Sequence, residues 1–295
     1  MRYRNQLLLM LAPFLVGTCL LVVIPAAGSL AVAFFDYSPL APTSFPWVGM
    51  GQFVQLANDP LFWTSLGNSL IYMAGSVLLR LVGAVGIALL LDRRRRGIGF
   101  YRATAYLPTI IPEVAYALVW LWIFNPLFGP INQVLRSVHL QTQTLLIDPN
   151  GVRGVIILMA GWQIGEGLVI MLAALRDVPP DLYDAALVDG TNFWTRFRMV
   201  VMPLIAPTFL LLVFRDTIVS LQDNFAPALI VTQWVHPQGL YAPSLFLPLK
   251  IYYDAFQNFK FSYGAAMIWV LYGVTAVIVF IQYRTTRRWG TAAYD

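Results

Sequence analysis

The chain has 295 residues, of which 59% are hydrophobic and only 11% charged, and its mean hydropathy is +0.69. This composition excludes an ordinary soluble globular domain. The formal net charge of +5 would fit a nucleic-acid-binding protein, but the basic residues cluster in short segments between apolar runs, which argues against that class. The single cysteine, Cys19, excludes an internal disulfide and is expected to act as a small apolar residue.

Six apolar runs are long enough to cross the ~30 Å hydrocarbon layer of a bilayer as α-helices. We place these spans at roughly 7–34, 69–91, 103–124, 154–175, 204–224 and 262–283. The period-2 alternation of a membrane β-barrel is not seen. The sequence therefore predicts an all-α integral membrane protein with six transmembrane helices, forming a single domain over residues 1–295.

The distribution of basic residues predicts the topology. With the spans placed as above, 13 of the 19 basic residues fall on one side of the membrane, including the run Arg93–Arg96. The positive-inside rule then places both termini in the cytoplasm, and attraction to lipid headgroups is a secondary effect of the same residues. The first run is too long for the apolar part of a secretory signal peptide, so we expect an uncleaved first span.

The segments outside the spans also carry structural signals. In the external loop 36–68, an extended Pro-rich segment precedes a short amphipathic helix around 52–56, with Trp47 and Trp63 as expected interfacial anchors. Pro108 and Pro112 should bend or break the third span. The external loops 125–153 and 225–261 follow, and the second of these, rich in proline and aromatic residues, is a candidate for partial re-entry into the membrane.

A polar insert interrupts the apolar pattern between the fourth and fifth spans, over residues 176–203. Two prolines and Asp181 should end one helix and begin another over 182–188, and Asp189-Gly190 should form a turn with Gly190 at positive φ. Thr191 is predicted to cap a second helix over 192–202, with Pro203 opening the fifth span. A short helix that docks into a groove of a soluble partner fits this pattern. The alternative is an amphipathic loop that rests on lipid headgroups.

Ionisable residues inside the spans are costly and should face a cavity or each other. The residues of this kind are Arg80, Glu113, Glu166, Arg215, Asp216 and Asp223. One hypothesis is a polar translocation path for hydroxyl-rich solutes, because carboxylates and amides can hydrogen-bond to such solutes without water. The path residues would be Arg80, Gln163, Glu166, Asp216, Asp223 and Asn224. The alternative is structural, with Arg80 or Arg215 paired to Glu166 or Asp216, and the sequence leaves both open.

Catalysis has little support in the sequence. The phosphate-binding pattern G-x-x-x-x-G-K-[ST] is absent, so we expect this chain itself not to bind ATP in that manner. His139 and His236 are isolated, and no spacing indicates a metal site, a cofactor or a catalytic triad.

The polar insert resembles the cytoplasmic loop of permease subunits of ATP-binding cassette importers. The family pattern is E-A-A, three residues, G, nine residues, a hydrophobic residue, one residue, then L-P. This chain has Asp184-Ala185-Ala186, Gly190 and Val200-Val201-Met202-Pro203, with Asp184 in place of Glu and Met202 in place of Leu. Further segments similar to the sugar branch of the family, which includes maltose and glycerol-phosphate importers, occur along nearly the whole chain. They are 34–38, 59–63, 67–70, 107–108, 124–126 and 252–256. The T-G-G-G-P run common in that branch is replaced by 232–237.

The resemblance implies a type I importer permease fold and a permease subunit that imports a carbohydrate or polyol. It also implies three partners: ATP-binding cassette subunits that hydrolyse ATP, a second homologous permease, and an external solute-binding protein that meets the three external loops. The residues implied in coupling to the ATP-binding subunits are Asp184, Ala185, Ala186, Asp189, Gly190, Phe197 and Pro203. A stand-alone secondary transporter or channel that uses the buried carboxylates is the alternative, although no inverted repeat is evident.

Overall fold

In the computed structural model the chain is α-helical. The structure describes residues 2–40, 43, 45–92, 96–222, 224–235 and 241–291, and the side chains of these residues from 6 to 286. The helices of the first half are α1 (Arg2–Thr18), α2 (Ile24–Val32), α3 (Gly51–Ala57), α4 (Pro60–Leu91), α5 (Ile98–Ile110), α6 (Glu113–Ile123) and α7 (Pro130–Ser137). Those of the second half are α8 (Pro149–Trp162), α9 (Gly165–Arg176), α10 (Pro180–Val188), α11 (Phe193–Arg196), α12 (Met202–Gln222), α13 (Phe225–Val235), α14 (Leu247–Tyr252) and α15 (Phe261–Thr291). Single π-helical turns lie at Cys19–Val23, Phe197–Val201 and Tyr253–Gln257.

Six crossings of a membrane are consistent with these helices. Among the described residues, four helical stretches are long and apolar enough to span a bilayer, and two bent helix pairs supply the other two crossings if each pair is one span. The four stretches are Gln6–Val32, Pro60–Leu91, a part of Phe193–Val235, and Phe261–Thr286. The predicted all-α, six-span architecture is therefore confirmed.

The third span is bent where the sequence predicts. Helices α5 and α6 meet at an angle of 99°. Pro112 cannot donate a backbone hydrogen bond, and it forces the preceding Ile111 into an extended conformation, with φ −70° and ψ 128°. The bend therefore follows directly from a proline in the middle of an apolar run.

The fourth span is also bent, by 45° between α8 and α9, and this bend was not predicted. No proline lies at the break, which occurs at Gln163, whose ψ of 60° is not helical. The next turn begins at Gly165, whose amide donates to the Thr109 hydroxyl of α5 over 3.0 Å. A Cβ at Gly165 would meet the Tyr106 Cα at 3.0 Å, so α9 approaches α5 closely only because this residue is glycine.

Replacing Gly165 with alanine is expected to reduce the amount of folded subunit in the membrane. The added methyl would displace the Thr109 hydroxyl that accepts from residue 165, and such overpacking costs about 1–3 kcal/mol. Gly154→Ala in α8 is the matched control, since its Cβ would have no neighbour within 4 Å. Thermal unfolding of the purified variants measures the difference. A Gly165→Ala protein as stable as the Gly154→Ala protein would contradict the close approach of α9 to α5.

The described chain separates into two compact units, one comprising residues 64–249 and 274–295 and the other residues 1–63 and 250–273. The core of the first is a buried apolar cluster to which α4, α9 and α12 contribute, with Ala84, Leu168 and Leu212 among its members. Gly167 lies against Ala84, where an added Cβ would come within 3.2 Å. Small residues of this kind let membrane helices pack closely. The prediction of a single functional domain stays a prediction.

In the second unit, Ala33 packs with Ala265 and Ala266, and Phe53 covers them. Phe53 belongs to α3, which confirms the short helix predicted in the loop 36–68. Trp47 and Trp63 are both exposed, as interfacial anchors would be. The large apolar side chains of α1 and of the following π turn are exposed as well, which suits a helix that faces lipid or another subunit.

Candidate coupling loop and intramembrane polar site

The polar insert forms a short exposed helix, α10, with a defined end. Pro180 occupies the first turn, where its missing amide costs nothing, so the helix begins two residues before the predicted 182. Asp184, Ala185 and Asp189 are exposed, whereas Ala186 is buried. At the end of the helix Leu187 is exposed and Val188 is 88% exposed. An apolar tip on a polar loop is typical of a protein–protein contact.

The turn after α10 is set by Gly190. Its φ of 71° is left-handed, as predicted, and its amide donates to the Leu187 carbonyl over 3.0 Å. The Thr191 amide donates to the Ala186 carbonyl over 3.1 Å, which completes a Schellman motif. Glycine is the residue that adopts this conformation without strain, so Gly190 fixes the direction in which the chain leaves α10.

The prediction that Thr191 caps the next helix was wrong. The Thr191 hydroxyl donates instead to the Ala186 carbonyl over 2.6 Å and reinforces the end of α10. Asn192 is the cap, since its side-chain oxygen accepts from the Thr195 amide over 2.9 Å. Adjacent threonine and asparagine both have capping side chains, and the hydrogen bonds of α10 decide which of them is free.

The prediction that Pro203 opens the fifth span was also wrong. A helical segment already begins at Phe193 and continues through the π turn Phe197–Val201 into α12, so Pro203 lies inside it. The wider π turn immediately precedes this proline, where the helix lacks an amide donor. Phe197 is half-buried and stacks on Phe193 with ring centroids 6.5 Å apart. Helix α12 therefore connects the polar insert to the membrane span without a loop.

Within the spans, the structure brings three charged residues together. Arg215 of α12 forms an ion pair with Glu166 of α9, and its Nη1 lies 3.1 Å from the Asp216 Oδ1. The Asp216 side chain is only 4% exposed, whereas those of Arg215 and Glu166 are 37% and 47% exposed. Arg80 of α4 interacts electrostatically with Asp216 and donates from Nε to the Ala160 carbonyl over 3.1 Å. The structural pairing considered in the sequence analysis is thus present, while a role in solute passage stays a prediction.

The other predicted path residues occupy different positions. Gln163 lies at the bend between α8 and α9. Asn224 is fully buried; its amide nitrogen donates to the Ser220 carbonyl over 3.2 Å, and its Oδ1 is buried without a hydrogen-bond partner. Asp223 lies outside the described residues. Asp216 and Ser220 are four residues apart in α12, so they share one face of that helix.

Sequence reasoning missed a polar face on α4. Ser76 hydrogen-bonds to Ser220 of α12, with 3.0 Å between their hydroxyl oxygens. About two turns of helix before Ser76, Asn68 donates to the carbonyls of Ala242 and Leu245, over 2.7 and 2.9 Å, and so holds the segment before α14. The four-residue spacing of Ser76 and Arg80 is the signal that could have indicated this face.

A buried ionic cluster lies in the unit formed by residues 1–63 and 250–273. The Lys250 ammonium is 2.8 Å from the Asp59 carboxylate and 2.9 Å from that of Asp254. The Tyr263 hydroxyl donates to the same Asp59 oxygen over 2.7 Å. The sequence placed Lys250 in an external loop, but its side chain is almost completely buried. The cluster ties the start of α4 to α14 and α15 within this unit.

The Asp59 cluster should make stability depend on pH. Burial raises the pKa of Asp59, but hydrogen bonds from Lys250 and Tyr263 and the charge of Lys250 outweigh it and lower the pKa below its usual value. A carboxyl group with a lowered pKa stabilises the folded state above its unfolded pKa of about 4, and this stabilisation is lost as the pH falls through the folded value. We expect wild-type protein to lose thermal stability more steeply than Asp59→Asn protein on acidification below about pH 4. Parallel losses in the two proteins would contradict the assignment.

Known membrane transport proteins resemble this chain in sequence and in fold. The sequence profile of the family described as "Binding-protein-dependent transport system inner membrane component" matches residues 80–290. The chain is 30% identical over 289 residues to the sn-glycerol-3-phosphate transport system permease protein UgpA of Agrobacterium fabrum, covering 96% of this chain and 95% of the relative. It is also 30% identical to the lactose transport system permease protein LacF of Rhizobium radiobacter, over 81% and 80% of the two chains. A chain in the crystal structure of a bacterial ABC transporter that imports alginate has the same fold, with a TM-score of 0.84, 23% identity, and coverage of 97% of this chain and 96% of the other.

Proposed function

This chain belongs to the family of binding-protein-dependent transport system inner membrane components, and we propose that it carries a carbohydrate or polyol into the cytoplasm. As a permease subunit of an ATP-driven importer, it would supply half of the path and leave ATP hydrolysis to separate subunits. Relatives named for the transport of lactose and of glycerol phosphate support a hydroxyl-rich solute.

The observation that carries the proposal is the exposed end of α10. Leu187 and Val188 present apolar surface beside the Schellman turn at Gly190, and the small Ala185 leaves room for a partner to approach. A short helix with an apolar tip fits a groove in a soluble protein. We assign α10 as the element that the ATP-binding subunits move, with Asp184 and Asp189 on its exposed polar surface.

A continuous connection from α10 to the membrane span supports this assignment. Phe197 and Pro203 lie in the helical segment that runs from Phe193 into α12, and α12 carries Arg215 and Asp216. A displacement of the polar insert would therefore act directly on the intramembrane charges. Rigid elements of this kind transmit motion between sites through discrete packing arrangements.

The intramembrane cluster supports both the solute class and a second permease subunit. Its described members are two arginines and two carboxylates, which can donate and accept the hydrogen bonds of a hydroxyl-rich solute. Arg215 and Glu166 are 37% and 47% exposed in this chain alone, and charges open to lipid are costly. We propose that a second permease covers them and completes a polar path that also includes Arg80, Gln163 and Asn224.

The proposed arrangement has both termini in the cytoplasm and an external solute-binding protein over the outer loops. Affinity purification of the tagged chain from mild detergent extracts of its native membrane tests the assembly. We expect a protein with an ATP-binding cassette and a second permease to co-purify in fixed ratio. Recovery of the chain alone, fully active in uptake driven by an ion gradient, would favour the secondary transporter instead.

A further inference from the structure

Three polar groups face one small cavity beneath α10. The cavity holds about 140 Å³ and is lined by Asp92 at the end of α4, Tyr183 of α10 and Arg196 of α11. Its remaining wall is formed by Leu89, Phe193, Phe197 and Val201. The end of α4 and the polar insert therefore meet around a polar space within an otherwise apolar region.

Arg196 and Asp92 both lack an ionic partner among the described residues. The Arg196 Nη1 is buried without any hydrogen-bond acceptor, which is unfavourable for a guanidinium group. Asp92 directly follows the last residue of α4, so its negative charge lies at the negative end of that helix dipole. Arg196 lies within the first turn of the helical segment that begins at Phe193, at the positive end of that dipole. A direct ion pair between Asp92 and Arg196 would give the Arg196 guanidinium an acceptor. It would also offset the unfavourable position of each charge at the end of its helix dipole.

Tyr183 lines this cavity and also packs against the apolar core. Its ring packs against the apolar cluster to which α4, α9 and α12 contribute. Burial raises the pKa of its hydroxyl, the charge of Asp92 raises it further, and the charge of Arg196 opposes this. The charges of Asp92 and Arg196 therefore both act on this hydroxyl. A movement of α10 would change the distance of the Tyr183 hydroxyl from these two charges.

We propose that Asp92 and Arg196 form a direct ion pair in one state of the transport cycle and separate in another, linking α4 to the polar insert. The inference rests on the proposed function, because it assigns a cycle that moves α10. In the present structure the two charges line the same cavity without pairing. We call the Asp92–Arg196 pair the latch, and this unpaired arrangement is its open state. Closing it would transmit the displacement of α10 to α4, the helix that carries Arg80.

Charge exchange in the assembled transporter tests the latch. We expect Asp92→Arg and Arg196→Asp each to lower uptake by about tenfold, and the double exchange to restore most of it, because contacting charges couple by this order. Each single reversal suits the dipole of its own helix better than the native residue, so helix destabilisation would not explain the loss. Arg198→Asp combined with Asp92→Arg is the matched control, since Arg198 is exposed and does not line the cavity. Rescue that is equal with Arg198, or single variants without effect, would overturn the proposal.

Cross-linking provides a test that does not depend on rescue. Cys19 is the single cysteine of the sequence, so a Cys19→Ala background leaves only the pair introduced by Asp92→Cys and Arg196→Cys. We expect the disulfide yield to differ by about threefold or more between nucleotide-free and ATP-trapped complexes, as for a contact made in one state only. Equal yields, or no cross-link in either state, would overturn the latch. Wild-type uptake that still requires ATP would show that the proposed function survives this failure.

Discussion

Replacement of Gly190 by valine is expected to lower solute uptake by at least about tenfold while the subunit still reaches the membrane in normal amount. The φ of residue 190 is 71°, a region in which a β-branched residue costs about 1–2 kcal/mol. No heavy atom lies within 4 Å of an added Cβ, so the effect comes from the backbone and not from a clash. The strain would redirect the chain after α10 and break the Schellman hydrogen bonds of Gly190 and Thr191.

The Gly190 prediction is checked by comparing uptake with the membrane level of the subunit and with ATP hydrolysis by the complex. Gly97→Val is the matched control, because Gly97 has a φ of 81° and no neighbour within 4 Å of its Cβ, but lies outside the polar insert. We expect the control to retain much more uptake than Gly190→Val. Normal uptake in Gly190→Val would exclude α10 as the docking element.

Neutralising Asp216 should mainly affect the stability of the subunit, whereas neutralising Glu166 should mainly affect uptake. The sequence alone predicts the same role in the path for both residues. Asp216→Asn is expected to destabilise the subunit by on the order of 2 kcal/mol, because it removes the charge-assisted hydrogen bond between the buried Asp216 and Arg215. Glu166→Gln should leave the amount of protein unchanged and lower uptake about tenfold or more, since its half-exposed side chain is placed to meet the solute or the second permease.

Membrane levels and initial uptake rates of the two variants distinguish these roles. Asp36→Asn is the control for loss of a carboxylate, because Asp36 is exposed and lies outside the spans. Loss of Glu166→Gln protein from the membrane would make the Arg215–Glu166 pair structural. Normal uptake at a normal level would remove Glu166 from the proposed path.

The fold was predictable where it depends on local chain chemistry. Run length determined the spans. Pro112 determined the bend of the third span, because it lacks an amide donor and the residue before it, Ile111, is extended. The bend at Gln163 was not predictable, since glutamine is a good helix former and the cause is the packing of Gly165 against Tyr106. That contact joins residues 59 positions apart, and the sequence does not say which helix faces meet.

In the candidate site, too, local features were predictable from the sequence and contacts that depend on tertiary packing were not. Positive φ at Gly190 was predictable because few residue types tolerate it. The capping role of Asn192 was not, because Thr191 was equally suitable until its hydroxyl bonded to Ala186. The burial of Lys250 depends on Asp59, far away along the chain, so its position in the loop 225–261 does not indicate it. Ion pairs between residues of different helices can be identified only from the tertiary structure.

Uptake by the purified complex in proteoliposomes tests the central claim most directly. With the external solute-binding protein and labelled solute outside, ATP enclosed in the vesicles should drive accumulation, and enclosed ADP or a non-hydrolysable analogue should not. The same vesicles with an imposed proton or sodium gradient and no ATP should remain empty of solute. Accumulation driven by the ion gradient alone, unaffected by enclosed ATP, would contradict the assignment of this chain to an ATP-driven importer.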